Sequence, residues 1–265
     1  MNGDLASPLV GAVRSRKRGF LTVFGPRLAA LGGAVLLWEI LGRLKISVII
    51  PTVSGAVKAW FDLILSGKLG PHIVVSLGYF AAGFFLAVFV GILLGALMAR
   101  YQLIEDALDF WINLGMSAPM LAFIPLLIIL FGLGDATRVA VTFLFAFWVI
   151  VVNTFTGIRY LDPALVEMAV SFGASEGQLF WKIRLLGALP LIMAGIRMGV
   201  GRAIKGMVNG EMLITVVGLG AMVMHYGNTF NGEYLFAIIA TITVVALVFT
   251  SLIRFGHRRL APWDK

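Results

Sequence analysis

Residues 73–99 contain no charged side chain, and no other stretch constrains the fold as tightly. The run is longer than the roughly 20 apolar residues an α-helix needs to cross a bilayer. Gly83, Gly91 and Gly95 punctuate it, the last two at the G-x-x-x-G spacing that lets helices approach closely in lipid. The rest of the chain follows the same rule. Of its 265 residues, 60% are hydrophobic and 13% charged, against about a quarter charged in a soluble domain. Lipid is therefore the solvent, and the expected fold is an all-α integral membrane protein.

Six apolar runs read as spans: residues 28–44, 73–99, 111–131, 139–158, 189–209 and 234–253. A basic segment, residues 1–27, precedes them and reads as leading into an uncleaved anchor, since Glu39 and Arg43 lie toward the end of the first run with no convincing small-residue cleavage site. Glu39 is expected near the outer end of its span or facing the bundle, because an ionised carboxylate in lipid is costly. Residues 45–72 read as a loop with an interfacial helix near 57–66, and residues 100–110 as a short polar turn. Pro119 and Pro125 interrupt the third run, and broken backbone at membrane depth needs protein or a water-filled path beside it. Residues 210–233 are rich in Gly and Asn and read as a re-entrant or surface-lying loop. A basic tail, 256–265, closes the chain.

With the N-terminus inside, the inner segments hold Arg14, Arg16, Lys17, Arg18, Arg27, Arg100, Arg159, Lys182, Arg184, Arg254, Arg258, Arg259 and Lys265. The outer segments hold only Arg43, Lys45, Lys58, Lys68 and Arg138. The positive-inside bias puts both termini in the cytoplasm. It also explains the net charge of +8 without nucleic acid. The chain has no Cys and three scattered His (His72, His225, His257), so no metal or thiol site is expected.

Residues 162–190, DPALVEMAVSFGASEGQLFWKIRLLGALP, are the longest central stretch that does not read as a span. Asp162 can cap a helix that opens on Pro163. Leu165, Met168, Ala169 and Phe172 then form one apolar stripe, and Gly173 permits a sharp turn. Ser175 with Gln178 is a capping box for a second helix carrying Leu179, Phe180 and Ile183. A short helix with an apolar stripe, pushed out of a membrane, needs a groove on another protein; the plainer alternative is an amphipathic loop lying on the membrane.

This stretch resembles the EAA loop of the permease subunits of bacterial ABC importers. Glu167, Met168 and Ala169 stand for E-A-A, Gly173 for the glycine, and Ile183 and Leu185 for the following I-x-L. Met168 departs from the usual Ala, and Leu186 from the usual Pro. Further on, Pro190, Gly195 with Arg197, Ala203, Glu211 and Gly218-Leu219-Gly220 resemble the taurine/nitrate/sulfonate-type group, as do Trp38-Glu39 and the Pro119 to Pro125 region. Ile204 stands where that group commonly has Trp. The resemblance implies a type I importer permease: six transmembrane helices, residues 28–255, with a cytoplasmic coupling loop at 159–187. Leu165, Glu167, Met168, Ala169, Phe172, Gly173 and Ala174 would form the part seated in a cytoplasmic ATPase. The implied partners are a second permease copy in a homodimer, two ATP-binding subunits, an extracytoplasmic substrate-binding protein and the lipid bilayer. The location would be the bacterial inner membrane. The chain has no G-x-x-x-x-G-K-[S/T] loop, so it is expected to bind no cofactor and to catalyse nothing, with ATP and Mg on the partner.

Arg202, Lys205 and Asn209 recur at i, i+3 and i+7 and share one face of the fifth run. Gly195, Gly199, Gly206 and Gly210 mark an adjacent face suited to close packing. Two buried cations cost roughly 2.5–3.5 kcal/mol each on insertion scales, so that face should not meet lipid. It reads either as the wall of a path for an anionic solute or as structural fasteners, Arg202 and Lys205 pairing with Glu211 or Glu39 or binding backbone carbonyls. Asn153, Pro119 and Pro125 are the other pathway candidates. Two further function classes stand beside the importer reading. A stand-alone, gradient-driven transporter would carry acidic residues at membrane depth and matching halves. An intramembrane enzyme would need clustered His, Cys or carboxylates.

Overall fold

The computed structural model describes residues 20–45, 49–214 and 217–260. The basic cluster from Arg14 to Arg18 and the tail end at 261–265 lie outside the described residues. All regular elements among the described residues are helical. Two compact units divide the chain, Met1–Val53 and Ser54–Lys265.

The first unit holds α1 (Phe20–Arg43). Near its end Glu39 pairs with Arg43 one turn on, at 2.9 Å, which meets the carboxylate's need for a partner. The chain then folds back: Trp38 Nε1 donates to Pro51 O at 3.0 Å. Gly42 makes room for this, since a Cβ there would sit 2.6 Å from the same carbonyl.

The second unit begins within α2 (Val53–Leu65) and continues through α3 (Leu69–Arg100), α4 (Gln102–Ser117), α5 (Phe123–Phe131) and α6 (Asp135–Arg159). It goes on through α7 (Pro163–Ser171), α8 (Glu176–Gln178), α9 (Leu185–Gly187), α10 (Leu189–Ile214), α11 (Leu219–Asn228) and α12 (Gly232–Leu260). Its spine is α6, gripped on two faces by glycine-lined helices. Gly83, Gly91 and Gly95 of α3 lie over Thr142, Ile150 and Thr154, rising together along both helices, so α3 and α6 run parallel. Gly195, Gly199, Gly206 and Gly210 of α10 lie over Asn153, Ile150, Phe145 and Val141, in descending order, so α10 runs antiparallel. These contacts are backbone-close: a Cβ on Gly95 would stand 2.7 Å from Val151 O. Small residues drive association here because apolar burial gives helices no preference for each other over lipid. Phe80, Phe84, Ile150, Val200, Ala203 and Met207 fill the junction of the three helices.

Because α3 and α6 are parallel, the chain between them must return to its starting end. It does so through a broken element. α4 and the helical turns from Met120 to Phe131 meet at a 97° bend, where Ala118 is extended at φ −71°, ψ 143°. Pro119 is the cause, since a residue before proline is pushed out of the helical region. Pro125 sits in the first turn of α5, where its missing N–H costs no hydrogen bond.

Among the described residues, three helices are long and apolar enough to cross a membrane: α3, α6 and residues 232–256 of α12. The number rises to five if each of two bent pairs is one span, and α1 is not among them. Several boundaries differ from the sequence reading. The polar turn expected at 100–110 is a single extended residue, Tyr101, after which α4 starts at once. Its acidic residues do not stop it, because Glu105 faces Arg159 at 3.5 Å across the bundle end. The interfacial helix expected near 57–66 runs from Val53 to Leu65, and α3 starts at Leu69, four residues early. The loop expected at 210–233 is largely helical: α10 continues to Ile214 and α11 follows. α12 runs on to Leu260, into the segment read as tail.

Candidate functional site

The stretch 162–187 forms two helical pieces at the end of the bundle where α3 and α6 finish. Asp162 caps α7, accepting from Ala164 N at 2.9 Å, with Pro163 in the first turn. The far end of α7 closes in a Schellman arrangement. Ala174 N donates to Ala169 O at 3.0 Å and Gly173 N to Val170 O at 2.8 Å, with Gly173 left-handed at φ +78°. The capping box forms as read: Ser175 N donates to Gln178 Oε1 at 3.0 Å, and Gln178 N to Ser175 Oγ at 3.4 Å. After it the helix widens into a π turn, Leu179–Arg184, before α9.

Leu165, Met168 and Phe172 lie on the exposed side of α7, Phe172 at 87% exposure, and Glu167 is exposed beside them. Ala169 corrects the four-residue stripe. It is buried while the other three are exposed, and α7 packs against the π turn. Ala174 is half-buried at the turn. Leu179 and Phe180 are buried, and Phe180 joins Ala99, Ile158, Ala188 and Ile192 in one cluster. That cluster ties the loop to the ends of α3 and α6 and the start of α10. The helix that carries the exposed stripe thus contacts the π turn, whose Phe180 is packed against three helices.

The second candidate region is a cavity of about 530 Å³ between α10 and the α4–α5 bend. Pro119, Met120, Leu121, Phe145, Lys205, Val208 and Asn209 line it. Arg202, one turn from Lys205, directs Nη1 toward Met116 Sδ at 3.7 Å. Among the described residues neither cation is in an ion pair, and the two carboxylates proposed to hold them are engaged elsewhere. Glu39 holds Arg43, and Glu211 is bound into a knot described below. Two other candidates lie apart from the cavity lining. Asn153 sits under Gly195 on the α6–α10 seam, donating to Val149 O of its own helix at 2.7 Å. Pro125 lies in the first turn of α5.

The knot at the opposite end of the bundle was missed as a working unit. Glu211 is fully buried. Its Oε2 accepts from Ser76 Oγ and from Gly220 N, both at 2.9 Å. Ser76 Oγ in turn accepts from Leu219 N at 2.8 Å, and His72 Nδ1 from Gly218 N at 2.9 Å. A carboxylate, a hydroxyl and an imidazole thereby satisfy the open N–H groups at the start of α11, where negative charge is favoured. Gly218 has φ +125°, and a Cβ there would lie 2.5 Å from Glu211 Cδ; one on Gly220 would lie 2.3 Å from Val208 O. The sequence signal was Glu211 followed by Gly-Leu-Gly, and the partners from α3 had no signal.

Residues 87–263 match the family of binding-protein-dependent transport system inner membrane components. The chain is 32% identical over 231 residues to SsuC of Bacillus subtilis (strain 168), whose name assigns it to aliphatic sulfonates transport. That alignment covers 86% of this chain and 84% of SsuC. It is 32% identical over 199 residues to the taurine transport system permease protein TauC of Escherichia coli (strain K12), covering 75% and 72%. It is 31% identical over 216 residues to the riboflavin transport system permease protein RibX of Chloroflexus aurantiacus, covering 82% and 81%.

Proposed function

Since this chain belongs to the binding-protein-dependent transport system inner membrane component family, it is a multi-pass membrane subunit of an ABC importer, and we propose that it couples ATP hydrolysis on a partner to passage of a small organic anion. The family works with an ATPase and a substrate-binding protein, and its permease subunits are not enzymes. That membership decides against the gradient-driven and enzymatic alternatives.

In this reading α1, α3, the α4–α5 pair, α6, α10 and α12 make six crossings. The loop 162–187 and both termini face the cytoplasm, in line with the distribution of basic residues. α7 seats its Leu165, Met168 and Phe172 stripe in a cleft of the ATP-binding subunit, which carries the ATP and Mg. Two copies of the chain and two ATP-binding subunits form the complex, and this chain binds no cofactor. The observation that carries the coupling is the exposed stripe on a helix fixed at both ends and in contact with the π turn, whose Phe180 packs onto the bundle. A shift of α7 is then conveyed to α3, α6 and α10. ATP drives the change only because the partner binds the two bundle states unequally.

The cavity beside the α4–α5 bend is the proposed segment of the pathway. Its apolar wall with Lys205 and Asn209 suits a small anion with a hydrocarbon or aromatic body. The sulfonate and taurine names of two relatives fit that chemistry, and the riboflavin name of a third shows that the family is not confined to it.

The test is purification of the tagged chain from its own membranes in mild detergent, with ATPase activity as the readout. Gly173→Pro cannot adopt φ +78° and breaks the Schellman closure. ATPase should co-purify with the wild-type chain and be lost with the variant, which still inserts. Full co-purification with Gly173→Pro would sink the coupling assignment.

A further inference from the structure

A small cavity of about 150 Å³ lies where α3 ends against the 176–187 segment, lined by Arg100, Tyr101, Glu176, Leu179, Phe180 and Arg184. We propose that it binds the phosphate group of an anionic ligand, supplied by a glycerophospholipid headgroup or by free phosphate. This goes beyond the importer reading and does not depend on it.

Three observations converge. The Arg100 guanidinium carbon lies over two rings, 4.9 Å from the Phe180 centroid and 5.4 Å from that of Tyr101. These cation–π contacts hold the charge at the cavity, and a guanidinium is suited to pairing with a tetrahedral oxyanion. Second, the ion pairs among the described residues are Arg43–Glu39, Arg138–Asp135 and Arg159–Glu105. Arg100, Arg184 and Glu176 take part in none of them. Two guanidiniums against one carboxylate leave the lining with one excess positive charge. Third, the position is that of a headgroup. Arg100 terminates the long apolar α3, and the 176–187 segment turns 51° from α10. Trp181, edge-on to Phe180 at 5.3 Å, is 60% exposed, as interfacial Trp residues are. Basic pockets between membrane helices at this depth hold lipid phosphates.

The experiment uses the full chain in mild detergent and reads adduct affinity by native mass spectrometry. The probes are short-chain phosphatidylglycerol and inorganic phosphate. Arg184→Gln should weaken binding about tenfold, the scale of one lost charge-assisted hydrogen bond. Glu176→Gln should tighten it, because it removes the one negative charge in the lining while leaving an exposed position in the fold unchanged. Lipid adducts that persist in excess inorganic phosphate identify the headgroup as the source; displacement by phosphate identifies the free ion. Wild-type affinity for both probes in both variants would overturn the site. If Arg184→Gln fails to fold, an unchanged Glu176→Gln does so alone.

Discussion

Phe172 offers the sharpest test of the proposed docking helix, because its side chain touches so little of its own protein. It is 87% exposed, so truncating it should leave the bundle's stability alone. Complete burial of a Phe side chain is worth about 1.5–3 kcal/mol. Scaling the midpoint by the exposed share gives about 2 kcal/mol for burial in a partner cleft. Phe172→Ala should therefore weaken the ATPase subunit's affinity roughly 30-fold, at 1.4 kcal/mol per decade, with thermal unfolding of the isolated chain shifted by no more than about 0.5 kcal/mol equivalent. The assay is a titration of purified ATP-binding subunit against the chain in detergent or nanodiscs, with a parallel melt. Phe180→Ala is the contrast: that ring is 7% exposed inside the bundle-end cluster, so its loss should cost about 3–5 kcal/mol of stability. Unchanged affinity for Phe172→Ala, or a melt lowered as far as that of Phe180→Ala, would refute the docking argument.

Three further outcomes follow from the packing and the cavity. Gly95→Ala should destabilise the bundle by about 1–3 kcal/mol through overpacking, since its Cβ would meet Thr154 Cβ and Val151 O at 2.7 Å. Gly78→Ala, on the same helix with nothing within 4 Å, should be neutral or stabilising by up to about 1 kcal/mol, and equal melts for the pair would contradict the ridge. Gly218→Ala combines a left-handed backbone with a contact on Glu211 and should cost at least about 2 kcal/mol, read as early proteolysis of the loop after α10. Lys205→Met should raise the solute concentration needed for half-maximal uptake about tenfold while ATPase co-purification stays intact; unchanged uptake kinetics would remove Lys205 from the pathway.

Much of the architecture could be read from local chemistry. The caps at Asp162 and Ser175 and the turn at Gly173 are decided by neighbours within a few residues, and the structure forms each of them. The glycine spacings in α3 and α10 announced close contacts, because at those distances only a missing Cβ suffices. What lay beyond the sequence was set by distant partners. α4 looks like a polar turn until Arg159 is seen opposite Glu105. α11 looks like a Gly- and Asn-rich loop until Ser76 and His72 arrive from α3 to cap it. Ala169 shows a finer limit. Helical periodicity names a stripe, yet a residue at its margin can turn inward when a second surface claims the adjacent line.

The two-sided grip on α6 restricts how this chain can change over evolution. One residue inserted between Val141 and Thr154 would rotate everything beyond it by about 100°. Thr154 and Asn153 would leave Gly95 and Gly195 at the same moment, and no compensating slip could restore both faces, because α3 runs with α6 and α10 against it. Substitutions can be tried there one face at a time, but changes of length cannot. Changes of length are therefore expected outside residues 141–154 rather than within them.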